Sequence, residues 1–255
     1  MTTAGGVTTP VRAVGNFFAM SLDTFVMMFR PPWAWRELLF QTWFVARVSI
    51  APTIFMAIPL VVLAAYTLNV LLVEFGAADL SGTGVALGAV TQGGPVVTVL
   101  VISGAAATAI CADLGARAIR EELDAMRVLG INPIQALVVP RVVATTLVSV
   151  LLVPVVTMVG VIGAFFFSVF LQNITPGAFV AGLPLLVGAP EVVIGLAKAA
   201  MFGLAASLIA CYKGISVGGG PAGVGNAVNE TVVYTFLALF VLNVIATAIG
   251  VKVTM

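Results

Sequence analysis

The chain has 255 residues, of which 61% are hydrophobic and 8% charged, with a formal net charge of +1. A soluble domain is roughly 45–50% apolar and about 25% charged, so 11 basic and 10 acidic side chains cannot cover the outside of a water-soluble fold of this length. Lipid must be the solvent, and the near-neutral charge supplies no global basic field for nucleic acid.

Met1 to Pro10 is polar and uncharged, without the basic start, apolar core and small-residue cleavage site of a secretory signal. Residues 11 to 29 place Val14, Phe17, Phe18, Leu22 and Phe25 at helical spacing, interrupted by Arg12, Asn16 and Asp23. That pattern reads as an interfacial helix, with a soluble arm as the competing reading. Pro31 and Pro32 stop it. Trp33, Trp35 and Trp43 then mix with Arg30, Arg36 and Arg47, a composition suited to the headgroup layer. Residues 1–47 are therefore read as N-terminal interfacial or elbow helices and 48–255 as the transmembrane domain.

Residues 48 to 73 form the first span, followed by Glu74 and Asp79, and residues 83 to 112 the second, rich in glycine and alanine. Gly84 and Gly88 have GxxxG spacing, which suits close helix packing or a substrate path. Residues 131 to 171 are apolar for so long that they read as one kinked crossing or a tight hairpin of two. A hairpin here would put its turn at Leu151 to Val155, leaving backbone groups unsatisfied in lipid, so one long helix bent near Pro154 is expected. Residues 172 to 190 make a connector, and 191 to 211 and 230 to 251 supply two more spans. The expected fold is all-α and polytopic, with five transmembrane helices.

Basic residues orient it. With the N-terminus cytoplasmic, Arg12, Arg30, Arg36, Arg47, Arg117, Arg120, Arg127, Arg141 and Lys213 fall on or near the cytoplasmic side, leaving Lys198 and Lys252 elsewhere. Cys111 and Cys211 then sit near cytoplasmic helix ends as reduced thiols. Two cysteines without a histidine speak against a structural zinc site or a cysteine–histidine nucleophile.

The densest charge is at Asp113 to Arg127. Read as one helix, it gathers Asp113, Arg117, Arg120, Glu121, Asp124 and Arg127 on one side, with Asp113–Arg117, Arg117–Glu121 and Arg120–Asp124 at ion-pair spacing. Glu122 points away, toward Met126 and Leu129, where a carboxylate is not expected without a partner. Two readings stand: a solvated loop helix, or a stiff docking helix through which an external motor moves the spans. The sequence Gly218 to Gly223 satisfies GxGxxG formally, but follows a transmembrane helix and lacks any Lys-Ser/Thr completion, so it is a turn and not a phosphate cradle. Lys198 lies about seven residues into the fourth span after Glu191. A charge at that depth either snorkels, pairs internally or serves function.

The run Arg120 to Pro133 (REELDAMRVLGINP), followed by Leu137 to Ala144 (LVVPRVVA), resembles the signature of the MlaE/YrbE permease family. A second block in order supports the likeness: Lys198, Phe202-Gly203, Cys211 to Gly214, Gly219 to Gly225 and Val228-Asn229. It covers about residues 35 to 255, and Cys111 to Arg117 (CADLGAR) is most similar to A-type YrbE subunits of Mce lipid-import systems. Asp113 and Arg117 depart from the Glu and Met common in the family. The resemblance implies a permease subunit for fatty acid, sterol or phospholipid in the cytoplasmic (inner) membrane, paired with a B-type YrbE partner and Mce conduit proteins. It also implies a cytoplasmic ABC ATPase that uses ATP and Mg and docks on a coupling helix at about 113–130, through Arg117, Arg120, Glu121, Glu122, Asp124 and Arg127. Lys198 and Glu191 are the intramembrane candidates. No catalytic residue, cofactor or metal is expected on this chain. The rival class is an ion-coupled secondary transporter of an apolar substrate, for which only Lys198 and Glu191 offer anything.

Overall fold

The computed structural model describes residues 5–77, 80–185 and 187–254; Asp79 and the first four residues of the N-terminal segment lie outside them. No strand occurs among the described residues. In hydrocarbon every backbone N–H and C=O must find its partner within the segment, and the helix is the element that achieves this from one stretch of chain.

Among the described residues, five helices are long and apolar enough to cross a membrane: α2 (Trp35–Glu74), α3 (Ser81–Ile119), α5 (Ile134–Gln172), α7 (Ala189–Ile215) and the Gly220–Gly250 part of α8 (Gly220–Thr254). Three shorter helices join them: α1 (Gly5–Met28), α4 (Glu122–Val128) and α6 (Pro176–Gly182). The chain from 134 to 172 is a single helix containing Pro154, in agreement with the argument against a hairpin.

The spans are longer than the sequence reading gave them. Helices of 39 or 40 residues rise about 60 Å, twice a hydrocarbon core of about 30 Å, so α2, α3 and α5 extend past it. Helix α2 runs through residues 47 and 48 without a break, placing Trp35 and Trp43 on the same helix as the first span. Helix α3 carries Asp113 and Arg117 on its final turns. The 172 to 190 connector contains α6, whose Phe179 is fully buried. The last helix begins ten residues earlier than expected. Gly219 and Gly220, both at positive φ, turn the chain into it, and Pro221 to Gly223 of the glycine-rich motif are helical.

Helix α3 is the centre of the bundle: 61% of its apolar stretch is buried, against 22–44% for the other four spans. It packs on α7 and α8, while α7 packs on α5 and α8, and α2 on α5. Apolar contact between helices gains little when lipid tails are equally apolar, so close approach matters more. Gly214 of α7 lies against the backbone of Cys111 on α3, where an added Cβ would sit 3.0 Å from the Cys111 carbonyl oxygen. The GxxxG pair is not one such contact. Gly84 faces Leu68 of the first span, whereas Gly88 has nothing within 4 Å and opens onto a groove.

Helix α1 lies against the 134–138 end of α5 and against α7. Phe17, Met20 and Met28 pack on the core, and Ala13 carbonyl accepts a hydrogen bond from Tyr212 at 2.9 Å. Phe18, Leu22 and Phe25 face outward. This two-sidedness suits an element lying along the bundle at the membrane surface.

Candidate functional site

The charges gather at the end of the bundle where α2, α5 and α8 begin and α3 and α7 finish. They do not form the single helix that the spacing suggested. Helix α3 ends at Ile119, Glu121 adopts the left-handed conformation at φ 58°, and α4 starts at Glu122. The break defeats two of the three expected i,i+4 pairs. Arg117 with Asp113 survives at 3.3 Å, but Arg117–Glu121 and Arg120–Asp124 are replaced.

Glu122 takes their place. Its Oε1 accepts from Arg120 Nε at 2.7 Å and its Oε2 lies 3.7 Å from Arg117 Nη1. The carboxylate that seemed stranded on the apolar side of a continuous helix is held by two arginines, because the backbone turn at Glu121 redirects it. Asp124 pairs with Arg127 at 2.8 Å on the outer surface. Gly130 closes α4. At φ 76° it sends its N–H to Arg127 carbonyl, and Ile131 N–H reaches Met126 carbonyl, the pair of bonds by which a left-handed residue ends a helix. Immediately before it, Val128 and Leu129 stand out at 88% and 75% exposure.

The residue that sequence reasoning undervalued is Arg141. It is 0% exposed, and is the only charge in the sequence between Arg127 and Glu191. Its Nη2 pairs with Asp113 Oδ2, its Nη1 donates to Leu137 carbonyl at 2.8 Å, and Glu37 Oε1 lies 3.8 Å away. Gln41 steadies Glu37 by donating to Oε1 at 2.7 Å. Asp113 thus sits between Arg117 and Arg141, and polar contacts run from Gln41 and Glu37 on α2 through Arg141 on α5, Asp113 and Arg117 on α3, to Glu122 on α4. The signal was available: an isolated arginine in an apolar stretch of that length needs a buried partner, and charge counting alone treated it as a surface marker.

Lys198 and Glu191 are not brought together. Glu191 Oε2 accepts from Gly188 N–H at 2.8 Å and serves the start of α7. Lys198, 3% exposed, donates to Thr247 Oγ1 on α8 at 2.8 Å and to Thr91 carbonyl on α3 at 3.3 Å. Thr91 lies in the π-turn Ala89–Gly93, a wider turn that frees carbonyls for outside donors. Lys198 therefore ties three spans through neutral acceptors. Cys111 and Cys211 are both buried free thiols.

Five apolar spans with one charged end define a multi-pass membrane protein. Within that class the comparison is specific: the family model described as Permease MlaE matches residues 38–249, and the chain belongs to the MlaE permease family. It is similar to a probable ABC transporter permease protein of Rickettsia bellii, 28% identical over 95% of this chain and 93% of that one. A probable ABC transporter permease protein of Synechocystis is 33% identical over 67% of this chain and 65% of its own. The intermembrane phospholipid transport system permease protein MlaE of Haemophilus influenzae is 28% identical over 71% and 69% of the two chains.

Proposed function

We propose that this chain is the permease subunit of an ATP-driven lipid transporter, moving a fatty acid, sterol or phospholipid, in the inner membrane with its N-terminus cytoplasmic. Residues 1–47, which include the outer end of α2, act as the interfacial elbow, and 48–255, from within the same helix onward, as the transmembrane domain. The observation that carries the reading is α4, a short helix that with its C-cap exposes Val128 and Leu129 beside the Asp124–Arg127 pair, while its first residue is held by Arg117 of α3 and Arg120 of the bend. An apolar tip rimmed by charge is a docking surface, and attachment at its base lets force on the tip reach the spans. A cytoplasmic ABC ATPase is the partner, using ATP and Mg. A second permease subunit of the B type and Mce conduit proteins complete the machine.

The lipid's route is supported by a groove of about 370 Å³ between the first and second spans, lined by Leu60, Ala64, Leu68, Gly84, Gly88 and Val96. Its apolar walls and small glycine side suit an acyl or sterol body. Lys198 acts as an interhelical tie and Glu191 as a helix-start ligand, so neither belongs to an ion relay.

Replacing Glu122 or Asp124 by Lys tests the reading. In vesicles holding the complex, lipid movement is expected to be lost while the chain still inserts and its partner ATPase no longer co-purifies. Undiminished uptake by both variants, or ATP-independent transport by the chain alone, would sink it.

A further inference from the structure

We infer that Arg141 is a positioning residue for energy transfer: a buried latch that fixes the base of α4 to three spans at once, so that movement of the docking helix is delivered to α2, α3 and α5 together. The inference rests on the docking role proposed for α4 and adds the route by which that role reaches the lipid path.

Three observations carry it. First, Arg141 is entirely out of solvent yet is charged, and its guanidinium is hydrogen-bonded to Asp113 of α3 and lies 3.8 Å from Glu37 of α2. A cation in that setting either keeps its partners or leaves charges uncompensated, which makes the arrangement one of discrete states. Second, Asp113 is shared. One oxygen meets Arg141 and the other meets Arg117, and Arg117 in turn reaches Glu122, the first residue of α4. Displacing Glu122 therefore loads Arg117, which competes with Arg141 for one carboxylate. Third, the connection between α3 and α4 is a single bend, with Glu121 in the left-handed region, so the backbone gives there while the side chains hold across it. A hinge bridged by ion pairs passes on motion in proportion to how firmly the pairs hold.

Arg141 also has an unused donor. Its Nε has no hydrogen-bond partner, although it is buried. A fully satisfied arginine would be locked in one arrangement, whereas this one retains a free N–H that can take up a carboxylate oxygen when the latch shifts. Glu37, at 3.8 Å and already steadied by Gln41, is the nearest carboxylate positioned to change its distance.

The test uses two readouts on the full chain. A spin label at Val128 reports how firmly α4 is held, in nanodiscs and without the ATPase. In vesicles carrying the whole transporter, ATP hydrolysed per lipid moved reports coupling. Arg141→Met removes the latch, and Arg141→Met combined with Asp113→Asn removes it without leaving Asp113 charged beside a vacated partner, while Glu37 keeps the Gln41 amide as its donor. Either is expected to raise label mobility at least twofold and ATP per lipid at least tenfold, with Arg141→Lys falling between it and the unmutated chain. Unchanged label mobility in the double variant, or transport and hydrolysis falling in step, would overturn the latch. If the unmutated assembly moves no lipid with ATP, the docking reading fails, and the label result then decides the latch alone.

Discussion

Arg141 and Lys198 are both cations buried in the same bundle, and they are held by opposite means. Arg141 sits among carboxylates from neighbouring helices and hands its interaction on toward the exposed tip of α4. Lys198 meets a threonine hydroxyl and a backbone carbonyl, and Thr247 in turn donates only to the Asn243 carbonyl of its own helix, so no second charge joins the chain of contacts. The difference teaches that burial alone does not mark a working charge. What marks it is a partner that is itself shared, because only then does a change at one end alter the other.

The comparison can be broken most directly at Arg141. Arg141→Met is expected to destabilise the chain by about 3–5 kcal/mol, since Asp113 and Glu37 lose their common partner; denaturant titration in detergent micelles measures it. If the loss is no greater than for a surface charge, the network is not the structural junction described here. Next comes Gly214→Val, which pushes a side chain into the Cys111 backbone two residues before Asp113. About 1–3 kcal/mol should be lost from overpacking. Gly88→Ala, at an open site in the groove, should leave stability within about 0.5 kcal/mol, as is usual away from packed contacts.

Lys198→Met sharpens the other side. It removes two hydrogen bonds to neutral groups and the cost of holding an ammonium among apolar spans, so the net change should be about 1 kcal/mol or less. Lipid movement should persist within twofold in the vesicle assay. A loss of transport with intact stability would move Lys198 from tie to substrate site. Asp124→Ala also costs little stability, since it breaks an exposed pair worth under about 1 kcal/mol. Its expected consequence is weaker ATPase binding, measured by co-purification.

Much of this molecule is legible from the chain alone, because lipid imposes one strong rule. A segment apolar for about 20 residues must be a helix, and that rule yields five spans and the unbroken 134–172 helix. It cannot fix helix ends beyond the hydrocarbon, where polar and apolar residues are both tolerated. Hence α3 and α8 are longer than read, and α2 passes through residue 47 without a break.

The charged end shows the limit most clearly. Composition and spacing located the charges at 113 to 127 and flagged Glu122 as lacking a partner on a straight helix. Which charges meet was decided by one left-handed residue, Glu121, and by the packing of α5 and α2 against α3. Glu37, Asp113 and Arg141 are separated in sequence by 76 and 28 positions. No periodicity relates them. Sequence by itself determined the solvent, the number of crossings and the place of the charge, since these depend on local composition. The tertiary structure alone decided that Arg141 is a junction and Lys198 a tie, since a buried charge takes its meaning from groups that only folding brings within reach.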